Sequence, residues 1–161
     1  MRFFIYEEWV SAGIFVKILV SLVCLLALVI LLTLVVNGFA FQNPFWVVLP
    51  SGLTASLLLL FWNYRGIEIE VNSKSLLVSY GIFNRRSIPL EDIVSCEPTK
   101  ASFGRYGGVG IRCGVDGSWA YTTSFGNAVK IIPRKGREFV FSSNDPAKIC
   151  RIIKQLKENS P

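Results

Sequence analysis

Between Trp62 and Val71 the chain reads WNYRGIEIEV, and the character of the sequence changes within those ten residues. Before them the chain is continuously apolar. After them Ile67, Ile69 and Val71 alternate with Glu68 and Glu70, the period-two pattern of a half-buried strand. The fold follows from taking the two sides separately.

Upstream, no Asp, Glu, Lys or Arg occurs from Ile18 to Tyr64. Ile18–Val36 is nineteen uncharged, mostly branched residues, close to the ~20 that a helix needs to cross a bilayer core. A second run, Phe45–Trp62, is interrupted by Pro50-Ser51-Gly52, residues that spanning helices tolerate. We therefore expect two transmembrane helices, over about 13–36 and 45–62, within a membrane segment 1–64. Trp46, Trp62 and Tyr64 fall near the ends of the second run, as in an aromatic belt. Lys17 can snorkel to headgroups, and Trp9 and Tyr6 give the stretch MRFFIYEEWV an interfacial look. The link NGFAFQNP is short and uncharged, so both termini share one side. Arg2, Lys17 and Arg65 flank the spans there, which predicts a cytoplasmic location for that side. Gly38 and Ala40 could serve a signal peptidase. The long apolar run, the leading Glu7 and Glu8 and the immediate second span argue against cleavage.

Of 161 residues, 52% are hydrophobic and 17% charged, and the mean hydropathy is +0.47. The charges of residues 1–62 cancel, so the net +6 lies in the fifteen Lys/Arg and nine Asp/Glu of residues 63–161. With no histidine, Ser-His-Asp and Cys-His nucleophiles and His-ligated metal sites are excluded. Cys24, Cys96, Cys113 and Cys150 lack CxxC spacing and read as four reduced, buried thiols.

Downstream, over 65–161, short alternating segments follow one another. Ser75–Tyr80 returns after the turn Asn72-Ser73-Lys74. RRSIPLEDI begins a third strand, Arg85-Arg86 falling with Asn84 in the connection before it, and Glu91-Asp92 opens a turn before VSCEP. GVGIRC and SWAYTT form a hairpin about Asp116-Gly117. NAVKII pairs with EFVFSS across PRKGR. Asp145 caps a helix over about 146–158 with Pro146 in its first turn, and Ile149, Ile152, Ile153 and Leu156 recur at helical spacing. The outline is about seven antiparallel strands, a small barrel or orthogonal sandwich, plugged by one C-terminal α-helix.

The runs LLVSYGIFNRRSIPLEDIVSCE and RYGGVGIR…AYTT…AVKI…FVFSSNDPAKICRII resemble the bacterial and archaeal pleckstrin-homology-like (PH-like) family, whose domain often follows two membrane spans. The resemblance covers about residues 10–156. It rests on Gly81-Ile82-Phe83, on Ile88-Pro89-Leu90 with Ile93, on Tyr106-Gly107-Gly108-x-Gly110-Ile111-Arg112, and on Asp145-Pro146. It implies a seven-stranded β-barrel with a C-terminal helix and no catalytic residues. It implies no particular ligand.

The glycines of YGGVGIRCGVDGSWAYTTSFG (Tyr106–Gly126) suggest a phosphate cradle. The stretch lacks the Gly-Lys-Ser/Thr ending and the helix that a P-loop requires, and reads instead as turns of a curved sheet. Arg105 and Arg112 on its rim could meet an anion. The densest basic cluster is Lys130, Arg134, Lys135 and Arg137 in KIIPRKGR, followed by Arg85-Arg86. The sequence thus predicts an integral membrane protein with a PH-like module on the cytoplasmic face, non-catalytic, without metal, cofactor, nucleic acid or small-molecule substrate. Its partners are the bilayer and other membrane proteins or further copies of itself. Two alternatives stand beside it: sensing of anionic headgroups through the basic hairpin, and an accessory subunit of a transport or envelope-maintenance complex.

Overall fold

The structure is a computed structural model that describes residues 5–38 and 43–158. Arg2, Ala40 and residues 39–42 of the expected link lie outside the described residues.

Two helices occupy the apolar runs, α1 over Ile14–Val36 and α2 over Phe45–Asn63. Both are long and apolar enough to cross a membrane, and neither has a buried residue. Three of their polar side chains bond within the helix: Thr33 donates to Val29 O at 2.8 Å, Thr54 to Pro50 O at 2.7 Å and Ser56 to Gly52 O at 2.8 Å. That closure suits a medium with no water to satisfy a hydroxyl.

The second compact unit joins the residues before α1 to everything from Tyr64 onward. Its first sheet runs β1(Tyr6–Ser11)-β2(Gly66–Val71)-β3(Ser75–Tyr80)-β4(Asn84–Pro89), each neighbour antiparallel. After a 3₁₀ turn at Leu90–Asp92 come β5(Ile93–Ala101), the helical turn α3(Phe103–Tyr106), β6(Gly110–Cys113), β7(Trp119–Thr122), β8(Gly126–Pro133) and β9(Phe139–Ser142). These strands form the second sheet in the order β5-β8-β9-β7-β6, and the chain closes with α4(Pro146–Glu158).

Where a small barrel or sandwich of about seven antiparallel strands is expected, the described residues form nine strands in two sheets, with no closed barrel. The β7–β9 pair is parallel. The early stretch with Trp9, read as interfacial, is an edge strand in register with β2 from Tyr6↔Val71 to Ser11↔Gly66. Arg85 and Arg86 lie on β4 and not in the connection. The hairpin at Asp116-Gly117 has a five-residue link, Gly114 to Ser118, closed by the Gly114 N–H on Ser118 O at 2.7 Å. The Asn72 turn, the β8–β9 pairing and the α4 boundaries match expectation, with Asp145 Oδ1 accepting from the Lys148 N–H at 3.1 Å.

The inward faces of both sheets meet the apolar stripe of α4. Ile67, Ile69, Leu76, Val78, Val129, Phe139, Phe141 and Ile149 are fully buried. At roughly 25 cal/mol per Å² of apolar surface removed from water, side chains of this size contribute about 1.5–3 kcal/mol each.

The cysteines depart from expectation. Cys96 of β5 and Cys150 of α4 form a disulfide across 54 residues, with Cα atoms 5.3 Å apart. Cys113 is a free, exposed thiol, and Cys24 in α1 is free.

Candidate functional site

The folded unit has two distinguishable ends, and its candidate residues divide between them. At one end the chain leaves for α1 after Gly13 and returns from α2 at Tyr64. The Ala12 N–H donates to Arg65 O at 2.7 Å and the Gly13 N–H to Thr123 O at 2.9 Å, so both sheets reach this end. The other end is defined by the Leu90 N–H on Lys74 O at 2.9 Å and the Arg134 N–H on Asp92 O at 2.6 Å. The six-residue β2 sets a separation of about 20 Å between them.

The basic hairpin occupies this far end. Ile93 pairs with Pro133, so the turn holding Arg134, Lys135 and Arg137 projects beside the start of β5, and all three side chains are exposed. Lys130 is not available with them. It lies within β8, and its Nζ is 2.8 Å from Glu138. What sequence reasoning missed is the company the hairpin keeps. The last turns of α4 come to the same end, where Lys157 Nζ donates to Ile93 O. Arg151, Lys154 and Lys157 form one wall of a groove of about 650 Å³ between α4 and β5. Ile93, exposed Val94 and the Cys96–Cys150 bridge also line it. The recurrence of basic residues at 151, 154 and 157 was a readable signal. The approach of that stripe to residue 134 was not.

The remaining arginines are committed elsewhere. Arg105 Nε donates to Asp116 Oδ2 at 2.8 Å, its Nη2 also contacts that oxygen, and it lies 3.9 Å from Glu138. The Ser118 hydroxyl, donating to Asp116 Oδ1 at 2.6 Å, is the main reason the Asp116 carboxyl is pulled down to about 2, with Arg105 adding to it. Arg112 Nε donates to Val109 O at 3.2 Å. The glycine stretch is therefore turn chemistry. Gly107, at φ 65°, ends α3 in the left-handed region that side chains disfavour. Arg85 points outward, 3.8 Å from Glu70. Arg86 points inward, its guanidinium 4.6 Å above the Phe139 ring, and burial pushes its pKa below the ordinary value. Alternation could have shown this, because Arg86 shares a face of β4 with buried Ile88.

Of the expected interface anchors, Lys17, Trp46 and Trp62 lie on the two long helices, with Trp46 and Trp62 exposed. Tyr64 belongs to the folded unit. Its hydroxyl accepts from Asn84 Nδ2 at 3.0 Å, and its ring meets Tyr80 edge-on at 5.3 Å. Trp9 packs over Gly66, with the Arg65 guanidinium 5.7 Å from its ring.

No group of three or more potential metal ligands occurs among the described residues. No protein family, curated protein or solved structure matches the chain.

Proposed function

We propose that this chain is a membrane-anchored, non-catalytic PH-like module that docks an acidic protein partner, or regulates one, at the cytoplasmic face of the membrane. The supporting observation is the position of the exposed Arg134-Lys135-Arg137 turn. It stands at the end of the folded unit opposite the chain's exits to α1 and α2, beside the basic wall of α4. A cationic surface there suits a partner approaching from the aqueous side. Two sheets with a C-terminal helix support the PH-like assignment, and the charges at Lys17 and Arg65 support the cytoplasmic side. The alternative, headgroup binding through the same hairpin, is favoured only by its charge.

The test is gentle detergent extraction of the full chain, with co-purifying proteins identified. A stoichiometric partner is expected, and it should be lost from the Arg134→Glu/Lys135→Glu/Arg137→Glu variant while the unfolding midpoint holds. Hairpin protection from hydrogen exchange that instead follows the anionic lipid content of reconstituted vesicles would favour the alternative.

A further inference from the structure

Three connections emerge at the end of the folded unit where the chain joins α1 and α2, and each presents large apolar side chains to solvent. The β3–β4 turn carries Ile82 and Phe83, which are 80% and 82% exposed. It sits beside Tyr64, since Asn84 at its base bonds the Tyr64 hydroxyl. Phe103, just after β5, is 65% exposed. Phe125, between β7 and β8, is 48% exposed. The Phe103 and Phe125 rings meet edge-on with centroids 5.8 Å apart. The link that carries Phe125 also holds Thr123, whose carbonyl accepts the Gly13 N–H.

A water-soluble face has no use for four such side chains. Exposed apolar side chains occur elsewhere on the unit, Ile5, Val94 and Val115 among them, but an edge-on aromatic pair and an Ile-Phe turn at one end mark contact with another apolar phase. Chain connectivity says which phase. Gly13 is bonded to Ile14 of α1 and Tyr64 to Asn63 of α2, so this end stays within one residue of each long apolar helix. The opposite end is cationic, with Arg134, Lys135 and Arg137.

We propose that Ile82 and Phe83, together with the Phe103–Phe125 pair, form a membrane-contacting rim that sinks into the headgroup–acyl boundary and fixes the unit upright on the bilayer. The proposal rests on the reading of α1 and α2 as spans. Interfacial apolar groups of this size reach about 5–10 Å into that boundary, and aromatic rings are favoured there. Two tethers alone would leave the unit free to tilt. A docked rim holds its basic end away from the surface.

The test uses the full-length chain with Cys24→Ser and Cys113→Ser, reconstituted into phosphatidylcholine–phosphatidylglycerol vesicles. An NBD fluorophore is placed in turn at Phe83→Cys, Ile82→Cys and Lys135→Cys under non-reducing conditions, and lipid carrying a nitroxide just below the headgroup acts as quencher. Carbonate extraction is done first. The expected result is retention in the membrane pellet, loss of more than half the emission at positions 82 and 83, and little loss at 135. Retention with unquenched 82 and 83, or with 135 quenched as strongly, overturns the rim and leaves the spans standing. Release by carbonate overturns the spans and the rim together.

Discussion

Glu8 accepts a hydrogen bond from the Ser143 hydroxyl at 3.0 Å across 135 positions of sequence, and its other oxygen receives the Asn144 N–H. The carboxylate also accepts from Tyr6 Oη at 3.0 Å and is 9% exposed. It ties the strand before the two long helices to the corner where β9 turns into α4.

Replacing Glu8 with Ala should remove the acceptor of three donors at once, from Tyr6, Ser143 and Asn144. The expected cost is about 1–3 kcal/mol. Denaturant unfolding of the detergent-solubilised chain reads it. Glu8→Gln keeps an acceptor and should cost less. Equal midpoints for wild type and Glu8→Ala would show that the contact contributes nothing.

Gly66 of β2 leaves no room for a side chain beside β1. A Cβ there would stand 2.8 Å from Val10 O and against the Trp9 ring. Gly66→Ala should therefore disrupt β1–β2 pairing at a cost of about 1–3 kcal/mol. Hydrogen exchange across residues 6–11 is the readout, and faster exchange confined to that strand is expected.

Asp116 gives a pH signature with a definite sign. Its folded pKa of about 2 lies below the ordinary carboxylate value near 4. Its contribution is present above pH ~4 and lost as pH falls through ~2. The stability difference between wild type and Asp116→Asn should shrink over that window. A difference that stays constant would mean the Ser118 and Arg105 contacts do not hold the charge.

The Cys96–Cys150 bridge closes a loop long enough to be worth about 4 kcal/mol on chain-entropy grounds. Cys150→Ser, or reduction, should lower the unfolding midpoint accordingly. The bridge also tests sidedness. Stable disulfides belong to oxidising compartments, and cytosolic ones are usually transient and redox-sensing. On the cytoplasmic side, both cysteines should be alkylated in resting cells and resist alkylation after oxidant. Blocked thiols in resting cells would place the unit on the opposite face.

The parts legible in the sequence are those set by neighbours along the chain. The apolar runs, the alternation at Ile67–Val71 and the Asp145-Pro146 helix start each declare themselves within a dozen residues, and each stands where expected. What escaped depends on contacts that close late. Tyr6, Glu8 and Val10 do share one strand face, but six residues ahead of a long apolar run look like its flank until β2 is there to pair with. Four cysteines permit several pairings, and only the packing of α4 on β5 selects one. The basic residues of the hairpin were visible. That they stand opposite the chain's exits was not, because that follows from strand direction in both sheets.

β1 has one further consequence, for biogenesis. The folded unit is interrupted: its edge strand is synthesised first, then fifty residues of α1, link and α2 intervene, and only afterwards does β2 exist to receive it. Completion of the first sheet must therefore wait until both helices have been synthesised. A fragment begun at Tyr64 to obtain a soluble domain would lack β1 and the Glu8 tie, leaving the outer edge of β2 open to any strand that comes. On the reading of α1 and α2 as spans, completion of the β unit follows their insertion.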